Sequence, residues 1–271
     1  MPEDTAAVLD RYRNPDGGFG PRVGQPSELE PTALAAMALA DPAAAAWLAA
    51  AQRSDGAFGF DVGPYTNDSA TGLCALAVGP GSQRERALDY LEKAQAERVE
   101  SSAAVPIDPS AVGWGWVGGT ASWVEPTARA LWALRVSRPT SPRITDAVAL
   151  LKDRESVGGG WNYGNREVLG EELPPYAQTT AAALIGLRRL DPDLEMRGLV
   201  SLRRLWRAEA AGGLSLAMTM AAFRIHGAPS DAEEVGISLA RLVDETDLLG
   251  DGIALGWAAL ATSDGLPGID G

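Results

Sequence analysis

Asp16-Gly-Gly-Phe19-Gly is the first of four Gly-aromatic loops that recur along this chain of 271 residues. The other three are Asp55-Gly-Ala-Phe58-Gly, Gly113-Trp114-Gly-Trp116 and Gly158-Gly-Gly-Trp161-Asn-Tyr163-Gly. Each loop precedes the start of an apolar helix, and these starts are Glu30-Pro-Thr32-Ala33, Ala70-Thr71-Gly-Leu73, Glu125-Pro-Thr127-Ala128 and Gln178-Thr-Thr180-Ala181. A repeat of this kind decides the architecture. A feature present in every copy is therefore more typical of a structural joint than of a catalytic group.

Twelve segments have the period of a helix, whereas little of the chain has the alternation of a strand. They are 4–13 with 31–40, 42–52 with 69–78, 83–99 with 125–136, 143–154 with 177–190, 194–208 with 213–225, and 231–243 with 251–262. The first helix of each pair is amphipathic, as in 144–155. The second is apolar nearly all round, as in 33–40, which is typical of a buried helix. This pattern predicts an all-α fold, a closed α6/α6 toroid of six helical pairs, in one domain over residues 1–271.

The charge balance excludes some classes of partner. The formal net charge is −13, which disfavours binding to nucleic acid or to an anionic membrane surface. Cys74 is the one cysteine and lies in an apolar run, so we expect a buried thiol and no intrachain disulfide. No apolar run is long enough to span a bilayer and no secretory signal begins the chain. We therefore expect a soluble, cytoplasmic protein.

Part of the repeat resembles a known superfamily. Gln52-Arg-Ser-Asp55-Gly-Ala-Phe58 resembles the Q-x-x-D-G-x-W/F repeat of squalene–hopene and oxidosqualene cyclases, and 13–19 is a variant with Arg in place of Gln. The stretch 113–127 is similar to bacterial prenyltransferase and squalene-oxidase repeat proteins. The resemblance covers residues 5–190 and implies the α/α toroid that terpenoid cyclases share with protein prenyltransferases. It also implies a structural role for the repeat motif, which ties loops to helix ends in those cyclases.

The resemblance implies an acid for cyclisation. Class II cyclases carry a D-x-D-D-T-A motif whose middle Asp protonates an alkene, and this chain lacks it. When the motif is aligned on Thr32-Ala33, Glu30 takes the acid position, with Glu28 as its modulator and Glu125 as a second candidate in the third repeat. Because an alkene is a poor base, such an acid must be kept neutral by apolar surroundings or by sharing a proton.

The alternative for the same carboxylates is helix capping. The corresponding positions of the second and fourth repeats are Ser69 and Gln178, so the position recurs at the start of each helix. A helix N-terminus stabilises a carboxylate as the anion, which is the wrong direction for an acid. The sequence leaves both interpretations open for Glu30 and Glu125.

Aromatic residues cluster before the apolar helices. They are Phe19, Phe58, Phe60, Trp114, Trp116, Trp123, Trp161, Tyr163 and Tyr176. Aromatic faces attract carbocations, although the same rings can simply pack between helix ends. The predicted substrate-binding residues are Trp116, Trp123, Trp161, Tyr163, Tyr176, Asn162, Arg129 and Arg166. The two arginines of this set are candidates for recognising a diphosphate or a carboxylate, with surface solvation as the alternative.

Metal chemistry has little support in the sequence. The single histidine, His226, and Cys74 both lie in helical segments, which is a weak basis for a zinc site, and we expect neither a metal nor another cofactor. The first predicted function is a metal-independent, class II-like terpenoid cyclase acting on a hydrophobic isoprenoid-type molecule. The alternative is a non-catalytic toroid that binds a hydrophobic ligand or a partner protein. A lone toroid of this kind also suits a partner domain or a homo-oligomer.

Overall fold

The computed structural model describes residues 5–59, 68–208, 212–245 and 250–268. Phe60, one of the aromatics named above, lies outside these residues. Within them the chain forms α1 (Thr5–Asp10), α2 (Leu29–Leu39), α3 (Pro42–Ala51), α4 (Asp68–Ala77), α5 (Ser82–Lys93), α6 (Val124–Ser137), α7 (Arg143–Asp153), α8 (Ala177–Leu187), α9 (Pro192–Ala208), α10 (Gly213–Ile225), α11 (Pro229–Glu245) and α12 (Gly252–Thr262). The strands β1 (Glu167–Val168) and β2 (Glu171–Glu172) form a short antiparallel hairpin between α7 and α8. The predicted all-α fold is confirmed.

One predicted helix is too long. The segment 83–99 was expected to be helical, whereas α5 ends at Lys93. Arg143 of α7 donates a hydrogen bond to the carbonyl oxygen of Ala94 at 2.7 Å, which satisfies a carbonyl at the end of the helix. The chain then leaves the helical path, because Glu97 forms an isolated bridge with Ala121 in the loop before α6.

The even-numbered helices are buried and pack against one another. In α6, for example, every residue from Val124 to Leu134 is buried. Along the chain, α2 packs against α4, α4 against α6, α6 against α8, α8 against α10 and α10 against α12, and α12 also packs against α2. The last of these contacts is close, since a Cβ added at Gly256 would lie 2.8 Å from Cβ of Leu34.

The odd-numbered helices cover the even-numbered ones. Helices α3, α5, α7, α9 and α11 each pack mainly on the helix that precedes them, and α1 packs mainly on α12. The predicted pairing, which joined each amphipathic helix to the apolar helix after it, is therefore shifted by one. The reason lies in the connections, because short links such as 40–41 lead into the odd-numbered helices whereas the long Gly-aromatic loops lead out of them. In the described part of the chain, no helix combines the length and hydropathy needed to cross a membrane.

Candidate functional site

One hydrogen-bond pattern recurs in all four Gly-aromatic loops. The backbone N–H of the aromatic residue donates to a threonine Oγ1 in the following buried helix, and that hydroxyl donates back to the carbonyl of the same aromatic. The N–Oγ1 distances are 2.9 Å for Phe19 and Thr32 and 3.0 Å for Phe58 and Thr71, Trp114 and Thr127, and Trp161 and Thr180. The aromatic side chains are fully buried in all four copies. The repeated aromatic is thus a core residue that fixes its loop to the next helix.

This pattern places Trp161 in the core rather than in a pocket. Its side chain has no solvent exposure, and its indole N–H donates to the carbonyl of Leu151 at 2.6 Å. A ring enclosed in this way offers no face to a substrate. The sequence predicts Trp161 as a substrate-binding residue, with packing as the alternative. The geometry fits packing.

The polar residues of the repeat motif tie loops to neighbouring helices. Gln52 donates to the carbonyls of Gly56 at 2.9 Å and of Gln83 at 2.8 Å, the latter at the start of α5. Asp16 accepts from Ser27 at 2.8 Å and from the indole of Trp47 at 3.0 Å. The structural role predicted for Gln52 and Asp16 is confirmed.

The predicted carboxylates meet in a buried polar cluster centred on Arg129. Its Nη2 donates to Oε1 of Glu30 and to Oε1 of Glu125, each at 2.6 Å, and its Nη1 donates to Ser69 at 3.0 Å. Gln178 donates to the second oxygen of Glu125 at 3.5 Å. Glu30, Ser69, Glu125 and Gln178 are the second residues of α2, α4, α6 and α8. The same position of four helices therefore supplies the side chains around one guanidinium. We call these four residues and Arg129 the Arg129 cluster.

Two carboxylates of the Arg129 cluster share one cation. Burial lowers the pKa of Arg129, but the adjacent carboxylates of Glu30 and Glu125 outweigh burial and raise it overall. Both carboxylates thus form ion pairs with one guanidinium at 2.6 Å, and charge-assisted hydrogen bonds of this kind are strong. Glu28, the expected modulator, is exposed and lies at the N-cap of α2 without a side-chain capping bond. The arrangement opposes the use of Glu30 or Glu125 as an acid, and it occupies Arg129, which had been expected to bind an anion.

Two tryptophan rings pack between the buried helices. The rings of Trp132 and Trp257 stack with their centroids 5.9 Å apart. The cavity beside them, which Arg129 also lines, has a volume of about 10 Å³. This is close to the minimum for a single water molecule, so this cavity has no room for an isoprenoid chain.

Two clefts lie instead on the long loops that precede α6 and α8. We call residues 94–123 and 154–176 the loop face. Backbone hydrogen bonds hold its two segments together, from Leu169 to the carbonyl of Ala104 at 2.7 Å and from Val124 to that of Tyr163 at 3.0 Å. The clefts have volumes of about 200 Å³ and about 250 Å³ and share Trp123, Gly164 and Asn165. We call them together the twin cleft.

Several of the predicted binding residues meet at the twin cleft. Trp123, Tyr163 and Tyr176 line the second cleft and are 39%, 48% and 40% exposed, and the two tyrosine rings lie 5.4 Å apart. Asn162 lines it too, but its side chain is buried, accepting from Gly164 at 2.8 Å and donating to the carbonyl of Asn165 at 2.9 Å. Asn162 is therefore suited to shaping the loop rather than to binding a ligand.

Two other predicted residues lie on the loop face without lining either cleft. Trp116 is 38% exposed and Arg166 is exposed. Neither Arg129 nor Glu30 lines either cleft, so the Arg129 cluster is separate from the twin cleft. Apart from Glu28, which is exposed at the start of α2, the predicted site residues divide into the buried Arg129 cluster, the core residue Trp161 and the loop face.

The first cleft contains charged residues that the sequence analysis did not identify. Arg154 is 5% exposed, its Nη1 pairs with Asp153, and its Nε is buried without a hydrogen-bond partner among the described residues. Burial lowers the pKa of Arg154, against the opposing effect of the Asp108 carboxylate. Hydrogen bonds from the hydroxyl and N–H of Ser110 lower the pKa of Asp108. These residues belong to separate segments outside the repeat motif, so no sequence pattern indicated that they lie near Trp123.

Comparison with models of known protein families and with curated proteins finds no match for this chain. The resemblance to terpenoid cyclase repeats therefore stays a prediction, and the function must be argued from the loop face and the Arg129 cluster.

Proposed function

We propose that this chain is a non-catalytic α6/α6 toroid that binds a partner protein at the twin cleft. The toroid is supported by the cyclic order of helix contacts, in which α12 packs on α2, and by the resemblance of residues 5–190 to toroid repeats. One observation carries the function: Trp123, Tyr163 and Tyr176 are 39–48% exposed around two clefts, whereas the cavity beside Trp132 and Trp257 has a volume of only about 10 Å³. These exposed rings support binding at the loop face.

The size of the clefts favours a partner protein over a hydrophobic small molecule. Binding pockets for small molecules typically have volumes of roughly 300–1,000 Å³, whereas the two clefts are near 200 and 250 Å³. Shallow sites of this size suit individual side chains of a polypeptide. Trp and Tyr are also enriched in protein–protein interfaces and among the residues that contribute most to affinity. Exposed aromatic groups gathered in one patch are typical of such a surface.

The cyclase function is less well supported by the geometry. Alkene protonation needs a neutral carboxylic acid, yet Glu30 and Glu125 each accept a hydrogen bond from a cationic guanidinium at 2.6 Å. Glu125 and Arg129 are also buried, and the adjacent cavity of about 10 Å³ leaves no space for a substrate. The contacts instead suit a structural role for this cluster.

The binding function can be tested with a displayed library of random linear peptides selected against the purified protein. Selected peptides are expected to bind the wild type, and the Trp123→Ala variant is expected to weaken them by about tenfold or more, because an aromatic residue at the centre of an interface contributes most of its affinity. Fluorescence anisotropy with the synthesised peptides measures both dissociation constants. The matched control is Met196→Ala with Val200→Ala, which removes exposed apolar side chains of α9 and should leave binding unchanged.

Two results would overturn this proposal. One is a set of selected peptides whose affinity is the same for the wild type and for Trp123→Ala. The other is catalysis: incubation with squalene or prenyl diphosphates followed by product analysis should give no cyclised product. Product that disappears in Glu30→Gln would establish the acid role instead.

A further inference from the structure

Carboxylates of the loop face are without ion-pair partners. Residues 94–123 and 154–176 contain seven carboxylates and three arginines. Six of the seven form no salt bridge within the described residues: Glu97, Glu100, Asp108, Glu167, Glu171 and Glu172. Glu155 is the exception and pairs with Arg197 of α9 at 2.7 Å. Two of the six, Glu97 and Asp108, line the first cleft, while Glu167 and Glu172 are next in sequence to Val168 and Leu173, which line the second.

On the odd-numbered helices, by contrast, many carboxylates form salt bridges with arginines. Arg138, which follows α6, binds Glu85, Asp89 and Glu92 of α5 at 2.7–2.8 Å. Farther round, Arg203 of α9 pairs with Asp231 of α11 at 2.9 Å. Arginines of one element thus pair with carboxylates of a neighbouring helix. Among the described residues, carboxylates without a salt bridge are thus concentrated on the loop face, although some elsewhere, such as Asp193 of α9 and Glu233 of α11, also lack one.

The hairpin places two of these carboxylates against each other. Glu167 lies directly opposite Glu172 across the two strands, with Glu171 next to it. Like charges at such a cross-strand position repel and destabilise the pairing. A cation supplied from outside the chain would relieve this repulsion, whereas an anion would increase it.

Arg154 does not reverse this preference. Although it lines the first cleft, its guanidinium is already paired with Asp153. Glu97 and Asp108 line the same cleft without ion-pair partners. In the lining of this cleft two carboxylates therefore accompany one arginine that already has a partner, which suits a cation better than an anion.

We propose that the partner segment recognised at the twin cleft is basic, with arginine or lysine side chains lying on the rings of Trp123, Tyr163 and Tyr176 and facing the unpaired carboxylates. This inference rests on the proposed function and adds the chemistry of the partner. Aromatic faces attract guanidinium and ammonium groups, and carboxylates around the rings strengthen that attraction at the rim. Two adjacent clefts of side-chain size suit an extended segment in which basic and apolar residues alternate.

The test compares two peptides that differ only in charge. One is Gly-Arg-Leu-Arg-Leu-Arg-Gly, and the other has citrulline, the uncharged isostere, in place of each arginine. At about 50 mM salt the arginine peptide is expected to bind about tenfold more tightly, and at about 500 mM salt the two affinities should converge because screening weakens exposed charge pairs. The change Trp123→Ala should weaken both peptides, since both use the aromatic cleft.

Matched variants separate local recognition from net charge. Glu167→Gln, Glu171→Gln and Glu172→Gln, combined in one protein, should weaken the arginine peptide about fivefold or more and leave the citrulline peptide unchanged. Asp193→Asn, Glu233→Gln and Asp264→Asn remove the same charge from exposed positions in or after α9, α11 and α12 and should change neither affinity. Equal binding of the two peptides, or equal loss in the two triple variants, overturns the basic-segment inference. The proposed function survives that outcome if library-selected peptides still depend on Trp123, and it fails separately if none do.

Discussion

The Arg129 cluster and the loop face contain the same kinds of groups in opposite arrangements. In the cluster, the Glu30 and Glu125 carboxylates share one guanidinium and are largely removed from solvent. On the loop face, carboxylates such as Glu171 are exposed, and the rings of Trp123 and Tyr176 are partly exposed. Burial with a partner indicates a contribution to the fold, whereas exposure without one indicates a contribution to binding. Substitutions should therefore reduce stability in the first region and affinity in the second.

The largest expected effect comes from breaking the Arg129 cluster. Arg129→Met leaves Glu30 and Glu125 without their cation, and breaking a buried ion pair by removing one partner lowers the free energy of unfolding by about 3–5 kcal/mol. Urea denaturation followed by circular dichroism measures this loss. The control Arg166→Met removes an exposed arginine of the loop face and should change stability by no more than about 0.5 kcal/mol.

A second change distinguishes a structural cluster from an acid site. Adding Glu125→Gln to Arg129→Met removes one uncompensated charge and should restore part of the lost stability. If Arg129→Met is as stable as the wild type, the carboxylates do not depend on the guanidinium, and the structural interpretation of the cluster is wrong.

The next effect concerns Glu195, a buried carboxylate outside both regions. Its Oε2 lies 3.3 Å from Nδ1 of His226, and its Oε1 accepts from the N–H groups of Leu190 at 3.0 Å and Asp191 at 3.2 Å. Burial raises the pKa of Glu195, but the contact with His226 and the backbone N–H groups outweigh it and lower the pKa overall. Because hydrogen bonds to charged groups contribute about 1.5–3 kcal/mol, Glu195→Gln should reduce the free energy of unfolding at pH 7 by that amount.

The lowered pKa of Glu195 determines how its contribution to the free energy of unfolding changes with pH. The stabilisation by the carboxylate is fully present above the unfolded-state pKa of about 4.3 and is lost as pH falls through the lower folded-state value. The difference between wild type and Glu195→Gln should therefore shrink below about pH 4. The exposed control Glu233→Gln should track the wild type, and a difference that stays constant with pH would contradict the assignment.

Removing the hydrogen bond that fixes the first Gly-aromatic loop to α2 should lower the free energy of unfolding by a smaller amount. Thr32→Val keeps the shape of the side chain but removes the acceptor for the N–H of Phe19, which is then buried and unsatisfied. The expected loss is about 1–2 kcal/mol in the free energy of unfolding, measured by urea denaturation. Thr145→Val, an exposed position on α7, is the control. Affinity for the arginine peptide should not change in either variant, because the first repeat does not line the twin cleft.

The helices were predictable because burial leaves a periodic mark on the sequence. The segment 213–225 was predicted with the bounds that α10 has, since its apolar residues are continuous and its neighbours are glycines and charges. The structural role of Gln52 and Asp16 was also predictable, because a motif that recurs in several repeats serves the structure that those repeats have in common. Local pattern was sufficient for both.

The Arg129 cluster and the arginine contacts between helices were not predictable in this way. Arg129 reaches Glu30 and Ser69, which lie 99 and 60 positions away, so its partners depend on how the helices are arranged. Arg84 likewise donates to the carbonyls of Ala75 and Leu76 at 2.9 Å, at the end of the preceding helix. A guanidinium can bind a carboxylate, a carbonyl or an external anion, and only the neighbouring helix decides which.

The smallest expected effect has the opposite sign and tests the loop face directly. Glu172→Thr removes the like-charge pair with Glu167 and should raise the free energy of unfolding by about 0.2–1 kcal/mol at low salt, seen as a small rise in the melting temperature. Glu171→Thr removes the same charge from the same strand, but its cross-strand neighbour is Val168, so it should give less stabilisation. Both variants should weaken the arginine peptide. A surface that becomes more stable as it loses affinity is one whose charges are maintained for a partner, whereas equal stabilisation in both variants would trace the effect to net charge alone.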